Sequence, residues 1–290
     1  MGGPAGPKRL PSRRRRTIGP AIVAIVALVV PAVVGAQAVP NRTTLYLYPS
    51  DVTDARALWV NPAGFARFQE ASLHLGLSVG EPGAAGRLRQ LTLGLSSRGL
   101  SFGYQRDVFD AGARGHTYRI GYAVGRAGLA AGVASALYRG DGASASGWDF
   151  GVLYDWRPAL SLGGVIQNVG QPNVRGTTLP VTYVPSATLR LWGARAALSA
   201  DGRFTSAGVL GYAFGLRATL GATRVPLGLL ARLDTDRTLA RAGLAFGVSL
   251  GSRDLAGLVA TAPGDASGID ALDLYGVSTR QFTRSRSVRD

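Results

Sequence analysis

The chain contains no cysteine among its 290 residues. This absence excludes disulfide bonds, thiolate chemistry and a lipid-modified cysteine at a signal cleavage site. Long apolar runs are also missing: beyond residue 38 nothing approaches the ~20 residues of a transmembrane helix. Because 46% of the residues are nevertheless hydrophobic, the apolar residues are dispersed, which is typical of a membrane β-barrel.

Acidic residues are scarce: 17 stand against 32 basic ones. Six of the basic residues and none of the acidic ones lie in the first 38 positions, so the rest of the chain has a net charge of +9. These remaining arginines are scattered along strands and strand ends. Such a distribution favours contacts with the phosphates and headgroups of membrane lipid over recognition of nucleic acid.

The N-terminus has the pattern of a secretory signal peptide. Lys8, Arg9 and Arg13 to Arg16 precede an apolar stretch from Ile18 to about Gly35, and Ala36-Gln37-Ala38 has the small-x-small form of a cleavage site. We therefore expect residues 1–38 to be removed. The apolar stretch is also long enough for an uncleaved anchor, which stays the alternative.

Apolar residues then alternate with small or polar ones in about fourteen short stretches. In the first, Leu73, Leu75 and Leu77 alternate with His74 and Gly76. This period of two indicates strands with unlike faces. Glycine is abundant at 41 residues and often occupies the face opposite the large apolar one. Small residues on that face leave room for a plug or a channel.

The connections between these stretches alternate between short and long, as expected of a barrel with both termini on one side of the membrane. Asp141-Gly142 and Asp201-Gly202 are turn dipeptides in the longer set. The sequence thus predicts an all-β protein, a transmembrane antiparallel β-barrel of about 14 strands. Residues 69–282 would form it, and residues 283–290 a basic C-terminal tail.

A soluble β-sandwich is the alternative all-β fold. It fits less well, because strands with Trp, Tyr and Phe on one face would expose mostly Gly, Ala and Arg to water.

A resemblance to a known family lies in residues 54–66, Asp-Ala-Arg-Ala-Leu-Trp-Val-Asn-Pro-Ala-Gly-Phe-Ala. This stretch resembles the N-terminal segment of the outer-membrane barrels related to the long-chain fatty acid transporter, including the PorV and PorQ proteins. Residues 149–154 and 165–170 resemble further parts of the PorV-like group. Phe65 departs from the leucine that is usual there.

The resemblance implies a fourteen-stranded barrel in the outer membrane of a Gram-negative-type envelope, with the N-terminal residues folded into its lumen. Residues 39–68 would then form a hatch or plug segment. Its motif consists of Trp59, Asn61, Pro62, Ala63 and Gly64. The motif is suited to a compact turn, since Asn61 can bond nearby backbone and Pro62 fixes φ. Whether it gates the lumen or only turns the chain into the first strand stays open.

Catalytic residues are not evident. His74 lies on the small-residue face of the first strand and His116 in a predicted loop, and neither has a serine or carboxylate at a catalytic spacing. Asp234 and Asp236 supply too few oxygens for calcium. We expect no enzyme activity, no cofactor and no metal site.

Charged residues inside the predicted strands favour ion pairs that fill the lumen. Asp149 and Asp155 alternate with the apolar face of their strand, so we expect them to point inward and to meet arginines. The candidate partners are Arg119, Arg217 and Arg241.

Two classes of function remain. Resemblance to the fatty acid transporter implies passive transport of a hydrophobic small molecule. Resemblance to the PorV-like group implies a non-enzymatic scaffold or secretion-accessory barrel, with secretion-system or cargo proteins as partners. The sequence leaves both open.

Overall fold

A computed structural model describes Gly2 and residues 40–67, 69–80, 87–109, 114–140, 143–174, 176–221 and 225–281. Apart from Gly2, the predicted signal peptide lies outside the described residues, and so does the predicted C-terminal tail. None of the helices in those parts is long and apolar enough to cross a membrane.

In the described residues, fourteen strands form a closed antiparallel barrel. A two-stranded hairpin, β8 (Asn173–Val174) and β9 (Thr177–Thr178), lies outside the barrel sheet. The barrel strands are β1 (Gln69–Gly80), β2 (Arg87–Ser97), β3 (Leu100–Val108), β4 (Arg114–Arg126), β5 (Leu129–Gly140), β6 (Ala143–Arg157), β7 (Leu160–Val169), β10 (Thr182–Leu191), β11 (Ala196–Thr205), β12 (Gly208–Leu220), β13 (Leu227–Asp236), β14 (Arg241–Gly251), β15 (Asp254–Pro263) and β16 (Ala271–Gln281).

Closure comes from pairing of the first and last strands, with Leu73 opposite Ser278 and Leu77 opposite Leu274. The strands follow one another in chain order, and β7 pairs with β10 across the hairpin. Because every strand has two neighbours, the sheet has no free edge, which a bilayer requires. The predicted fold class is confirmed.

The two faces of the barrel differ as the alternation predicts. In β6, Trp148, Phe150 and Val152 are exposed on the outer face, whereas Asp149 and Leu153 are buried on the inner face. An apolar surface around a closed barrel is stable against lipid chains and not against water.

The connections define two ends. We call the end where β1 begins and β16 ends the terminal end, and the opposite one the loop end. The loop-end connection between β11 and β12 is shorter than predicted: β11 continues through Asp201-Gly202, and only residues 206–207 join it to β12. The predicted turn at Asp201-Gly202 is wrong, because pairing with Ala213 and Tyr212 keeps both residues in the sheet.

Residues 40–67, called the plug here, contain a 3-10 helix (Arg42–Thr44), α1 (Ala57–Val60) and a second 3-10 helix (Pro62–Ala66). The plug packs against inner-face residues of the barrel, and its largest buried side chains include Leu58 and Phe65. The barrel lumen is therefore occupied by the chain's own N-terminal segment.

Candidate functional site: the plugged lumen

One side of the lumen wall is lined by glycines, which we call the glycine track. A Cβ at any of them would lie 2.8 Å or less from a plug atom, closer than real Cβ atoms approach. The plug thus rests directly on the backbone of six neighbouring strands. The track consists of Gly94, Gly103, Gly121, Gly132, Gly151 and Gly163.

Asn61 connects the plug to this side. Its side-chain amide donates to the carbonyl oxygens of Pro49 at 2.8 Å and Val152 at 2.9 Å. Its Oδ1 accepts from the backbone N–H of Ala63 at 3.1 Å and so caps the second 3-10 helix. The amide nitrogen thus donates two hydrogen bonds and the amide oxygen accepts one, and the bond to Val152 anchors the motif to strand β6.

The rest of the predicted motif supports the same turn. Pro62 stands at the first position of the 3-10 helix, where a missing N–H is tolerated, and lies against Gly132. Ala63 and Gly64 are buried, and a Cβ at Gly64 would meet the Val52 carbonyl oxygen. Close packing therefore accounts for the proline, the alanine and the glycine of the motif.

Trp59 fills the space next to the motif. Its ring lies over Gly94 and Gly103 and meets the His74 ring edge-on, with 6.0 Å between the centroids. Together with Leu58 and Phe65 it forms the apolar core between plug and wall. His74 thus packs inside the lumen.

The opposite side of the lumen is held by polar side chains. Ser50 bonds the hydroxyls of Ser186 at 2.8 Å and Thr188 at 2.7 Å. Asp51 pairs with Arg190 at 3.0 Å and with Arg217 at 2.6 Å. These contacts join side chains to side chains, in contrast to the backbone contacts on the glycine track.

Arg232 of β13 also holds the plug on this side. It donates to the Leu47 carbonyl oxygen at 3.3 Å and lies 4.7 Å from the centre of the Tyr48 ring. Its guanidinium pairs with Asp234 at 2.8 Å and with Asp201 at 3.6 Å. Asp201 and Asp234 therefore orient the Arg232 guanidinium, which donates a hydrogen bond to the plug backbone.

A further ion pair lies within the plug itself. Arg56 donates to Asp54 at 2.7 Å and to the Tyr46 hydroxyl at 3.2 Å. Burial by itself would raise the pKa of the Asp54 carboxyl, but the charge and hydrogen bonds of Arg56 outweigh it and hold that pKa below its usual range.

The charged residues that the sequence singled out occupy different places. Arg119 pairs with Asp149 at 2.7 Å and donates to the Leu58 carbonyl oxygen at 2.9 Å, so it links β6 to α1. Asp155 pairs with Arg67 at the exit of the plug. Arg217 pairs with plug residue Asp51, and Arg241 is exposed at the loop end where β14 begins.

Two cavities lie on either side of plug segment 45–49. The cavity toward the loop end has a volume of about 320 Å³ and is lined by Leu45, Leu47 and Trp59 together with Arg119 and Asp149. The cavity toward the terminal end has a volume of about 280 Å³, and its lining includes Leu47, Asp51, Arg56, Arg190 and Arg217. Leu47 lines both cavities, so this short segment separates them.

Several plug residues that contact the wall or the cavities belong to no recognisable sequence motif. Leu47, Ser50 and Asp51 precede the recognisable motif and resemble ordinary loop residues. The sequence shows a glycine-rich face on the strands, but it does not show which plug residues contact those glycines. A search for polar inner-face residues in β10 would have found Ser186, Thr188 and Arg190.

The two cavities beside the plug offer space for a small molecule. In the described residues no three His, Cys, Asp or Glu side chains come together as a metal site. His116 bonds the Tyr104 hydroxyl at 2.8 Å near the loop end.

No family model matches the sequence, and no curated protein matches it either. Among solved structures, the fold is similar to the CymD monoaromatic hydrocarbon channel, with 12% identity, 81% of this chain and 95% of that chain covered, and a TM-score of 0.52. It is also similar to the Pseudomonas putida toluene transporter TodX, with 12% identity, 79% and 94% covered, and a TM-score of 0.53. At this identity the likeness concerns the fold.

Three observations indicate the location of the protein: the closed barrel, its apolar outer surface and the similar solved structures. Closed barrels of this kind span outer membranes. The chain is an outer-membrane β-barrel protein.

Proposed function

We propose that this protein is a non-enzymatic transport barrel that binds a hydrophobic small molecule in its lumen and lets it pass when the plug shifts. The observation that carries the proposal is the pair of cavities separated by plug segment 45–49. Displacement of this one segment would join them into a continuous path. In this proposal the loop end faces the exterior and the terminal end the periplasm.

The lining of the loop-end cavity is mixed, and its apolar part supports a hydrophobic ligand. Leu45, Leu47, Trp59, Val60 and Val184 contribute apolar surface. Arg119 and Asp149 are already paired with each other, so they neutralise one another at the cavity wall. Gln105, Thr117 and Gln167 also line the cavity, so a bound molecule would meet polar groups as well as apolar surface.

The two structural neighbours named above are described as a monoaromatic hydrocarbon channel and a toluene transporter. We therefore choose a monoaromatic probe. The PorV-like scaffold is the second hypothesis from the sequence.

Trp59 makes a direct binding test possible. It is 8% exposed and lines the loop-end cavity, whereas Trp148, Trp156 and Trp192 are 48%, 57% and 78% exposed on the outside. A variant with W148F, W156F and W192F keeps Trp59 as its only tryptophan. Reconstituted in nanodiscs and titrated with bromobenzene, a heavy-atom quencher, it should show saturable quenching.

A matched control keeps only Trp192. Bromobenzene that merely partitions into lipid should quench Trp192 in proportion to its concentration, without saturation. Equal, unsaturable quenching of both tryptophans, or no quenching of Trp59, would overturn the carrier proposal and leave the scaffold hypothesis.

A further inference from the structure

The connection between β7 and β10 crosses the loop end. Residues 170–174 and 176–181 of this connection, which include β8 and β9, are called the hairpin segment here. Its Pro172 packs on β6, where a Cβ at Gly147 would lie 3.0 Å from the proline ring. Val174 is buried and lines a small cavity. That cavity is also lined by loop-end residues of β4 and β5, namely His116, Thr117, Tyr138 and Arg139. The hairpin segment therefore extends across β6 to β5 and β4.

The hairpin segment also borders the loop-end cavity of about 320 Å³. Leu179 lines this cavity together with the plug residues Leu45 and Trp59. Leu179 precedes β10, which begins at the loop end of the barrel. The hairpin segment thus forms part of the cavity wall on the side from which the proposed ligand would arrive.

The base of the hairpin segment has a backbone that needs support. Asn168, Gly170 and Gln171 have φ angles of 59°, 96° and 47°. Residues other than glycine seldom adopt this region and keep it where surrounding contacts hold them. The backbone N–H of Asn168 donates to Asp149 Oδ1 at 2.9 Å, and its side-chain amide donates to the Pro180 carbonyl oxygen at 3.2 Å. Asp149 of β6 therefore helps to fix the base of the segment.

The same carboxylate holds the plug. Asp149 Oδ2 accepts from Arg119 at 2.7 Å, and Arg119 donates to the Leu58 carbonyl oxygen in α1 at 2.9 Å. The side chains of Asp149 and Arg119 are 6% and 11% exposed, so water replaces a lost partner poorly at this position. The two oxygens of one buried carboxylate thus serve the hairpin segment and the plug.

We propose that the hairpin segment is a lid over the loop-end cavity and that Asp149 is the positioning residue that couples this lid to the plug. When the lid lifts, Asn168 withdraws its N–H from Asp149, and the carboxylate no longer fixes the Arg119 guanidinium against α1. Lifting the lid therefore loosens the plug, and a docked plug favours the closed lid, since such coupling is reciprocal. The lid role rests on the proposed transport function, whereas the coupling exists without a ligand.

The test locks the lid with a cross-link. Because the chain has no cysteine, G147C/P172C introduces one thiol pair at a place where the two residues touch. A short bifunctional methanethiosulfonate reagent closes the lock and dithiothreitol opens it. Plug docking is measured in detergent micelles as the denaturant-induced change of Trp59 emission, with W148F, W156F and W192F also present.

We expect the lock to stabilise plug docking about fivefold when Asp149 is present and to have no effect in D149N. D155N is the matched control: Asp155 lies in the same strand and pairs with Arg67 of the plug, so the lock should still act there. Heat-modifiable migration shows that each barrel is folded. R119Q breaks the link on its plug side and should abolish the effect of the lock as D149N does.

No stabilisation by the lock when Asp149 and Arg119 are present, or equal stabilisation in D149N and R119Q, would overturn the coupling. The lid is tested separately by the rate at which bromobenzene quenches Trp59. The locked protein should be quenched several times more slowly than the reduced one, and equal rates would overturn the lid role. Quenching without saturation in both states would instead overturn the transport proposal, and the coupling, measured without ligand, would stand.

Discussion

The two sides of the lumen wall hold the plug in different ways. On the glycine track, from β2 to β7, plug atoms touch the strand backbone itself, as Pro62 does at Gly132. From β10 to β13, contacts between side chains predominate, such as those of Ser50 and Asp51, and a cavity of about 280 Å³ lies there. Gly215, which lies against the Tyr48 ring, is the exception on this side.

This difference indicates which contacts can change during function. Backbone surfaces cannot move away without opening the barrel, so the glycine track fixes one side of the plug. Polar side chains can exchange protein partners for water at small cost when a cavity is adjacent. We therefore infer that the plug pivots on the glycine track and releases on the side of Asp51.

The largest expected effect comes from filling the glycine track. Gly132→Val would place a Cβ within 2.5 Å of the Pro62 backbone, where no flexible side chain can yield. Docking of the plug should lose about 3 kcal/mol. Trp59 emission in the variant that keeps only this tryptophan should shift to the red, while the heat-modifiable migration of the folded barrel persists.

Gly164→Val provides the control, because a Cβ at Gly164 would make an ordinary 3.6 Å contact with Val152. Unchanged Trp59 emission in Gly132→Val would contradict the inference that the glycine track fixes one side of the plug.

A smaller loss of plug docking is expected when Asn61, which anchors the plug on the same side, is replaced. Asn61→Ala removes the bonds to Pro49 and Val152 and the cap at Ala63. The plug should lose about 2 kcal/mol, because buried carbonyl groups lose their donor. Denaturant-induced change of Trp59 emission measures this loss. Asn173→Ala, at an exposed site in β8, should have no effect, and a similar midpoint for both variants would contradict the anchoring role.

The smallest stability effect is expected on the polar side. Asp51→Asn weakens the pairs with Arg190 and Arg217, which are partly exposed, so plug docking should lose about 1 kcal/mol or less. The functional effect should exceed the structural one: openings in planar bilayers should become more frequent, with Trp59 emission unchanged.

Asp265→Asn, at an exposed loop-end position, is the matched change for this experiment. Identical conductance of D51N and the unmodified protein would show that release does not occur on this side.

Much of the barrel was predictable because a single local rule produces it. Each strand has a lipid face and a lumen face, so apolar residues must recur with a period of two, as Leu73, Leu75 and Leu77 do. The turn prediction at Asp201-Gly202 failed because inter-strand pairing outweighed local turn preference. Such pairing depends on the neighbouring strand, which local sequence does not specify.

The candidate site was predictable only in part. The motif around Asn61 and Pro62 was recognisable from residue types that form turns. The family resemblance implied that this segment folds into the lumen, but the residues of the wall that contact it were not predicted. The pairing of Asp51 with Arg190 and Arg217 joins residues more than 130 positions apart and has no local pattern.

The sequence by itself determined the number and faces of the strands, and with them the membrane environment, since period and polarity act residue by residue. Only the tertiary structure decided which contacts hold the plug in the lumen. These include contacts between the plug and glycines in six strands, and pairing of those neighbouring strands in one sheet brings the glycines onto one surface.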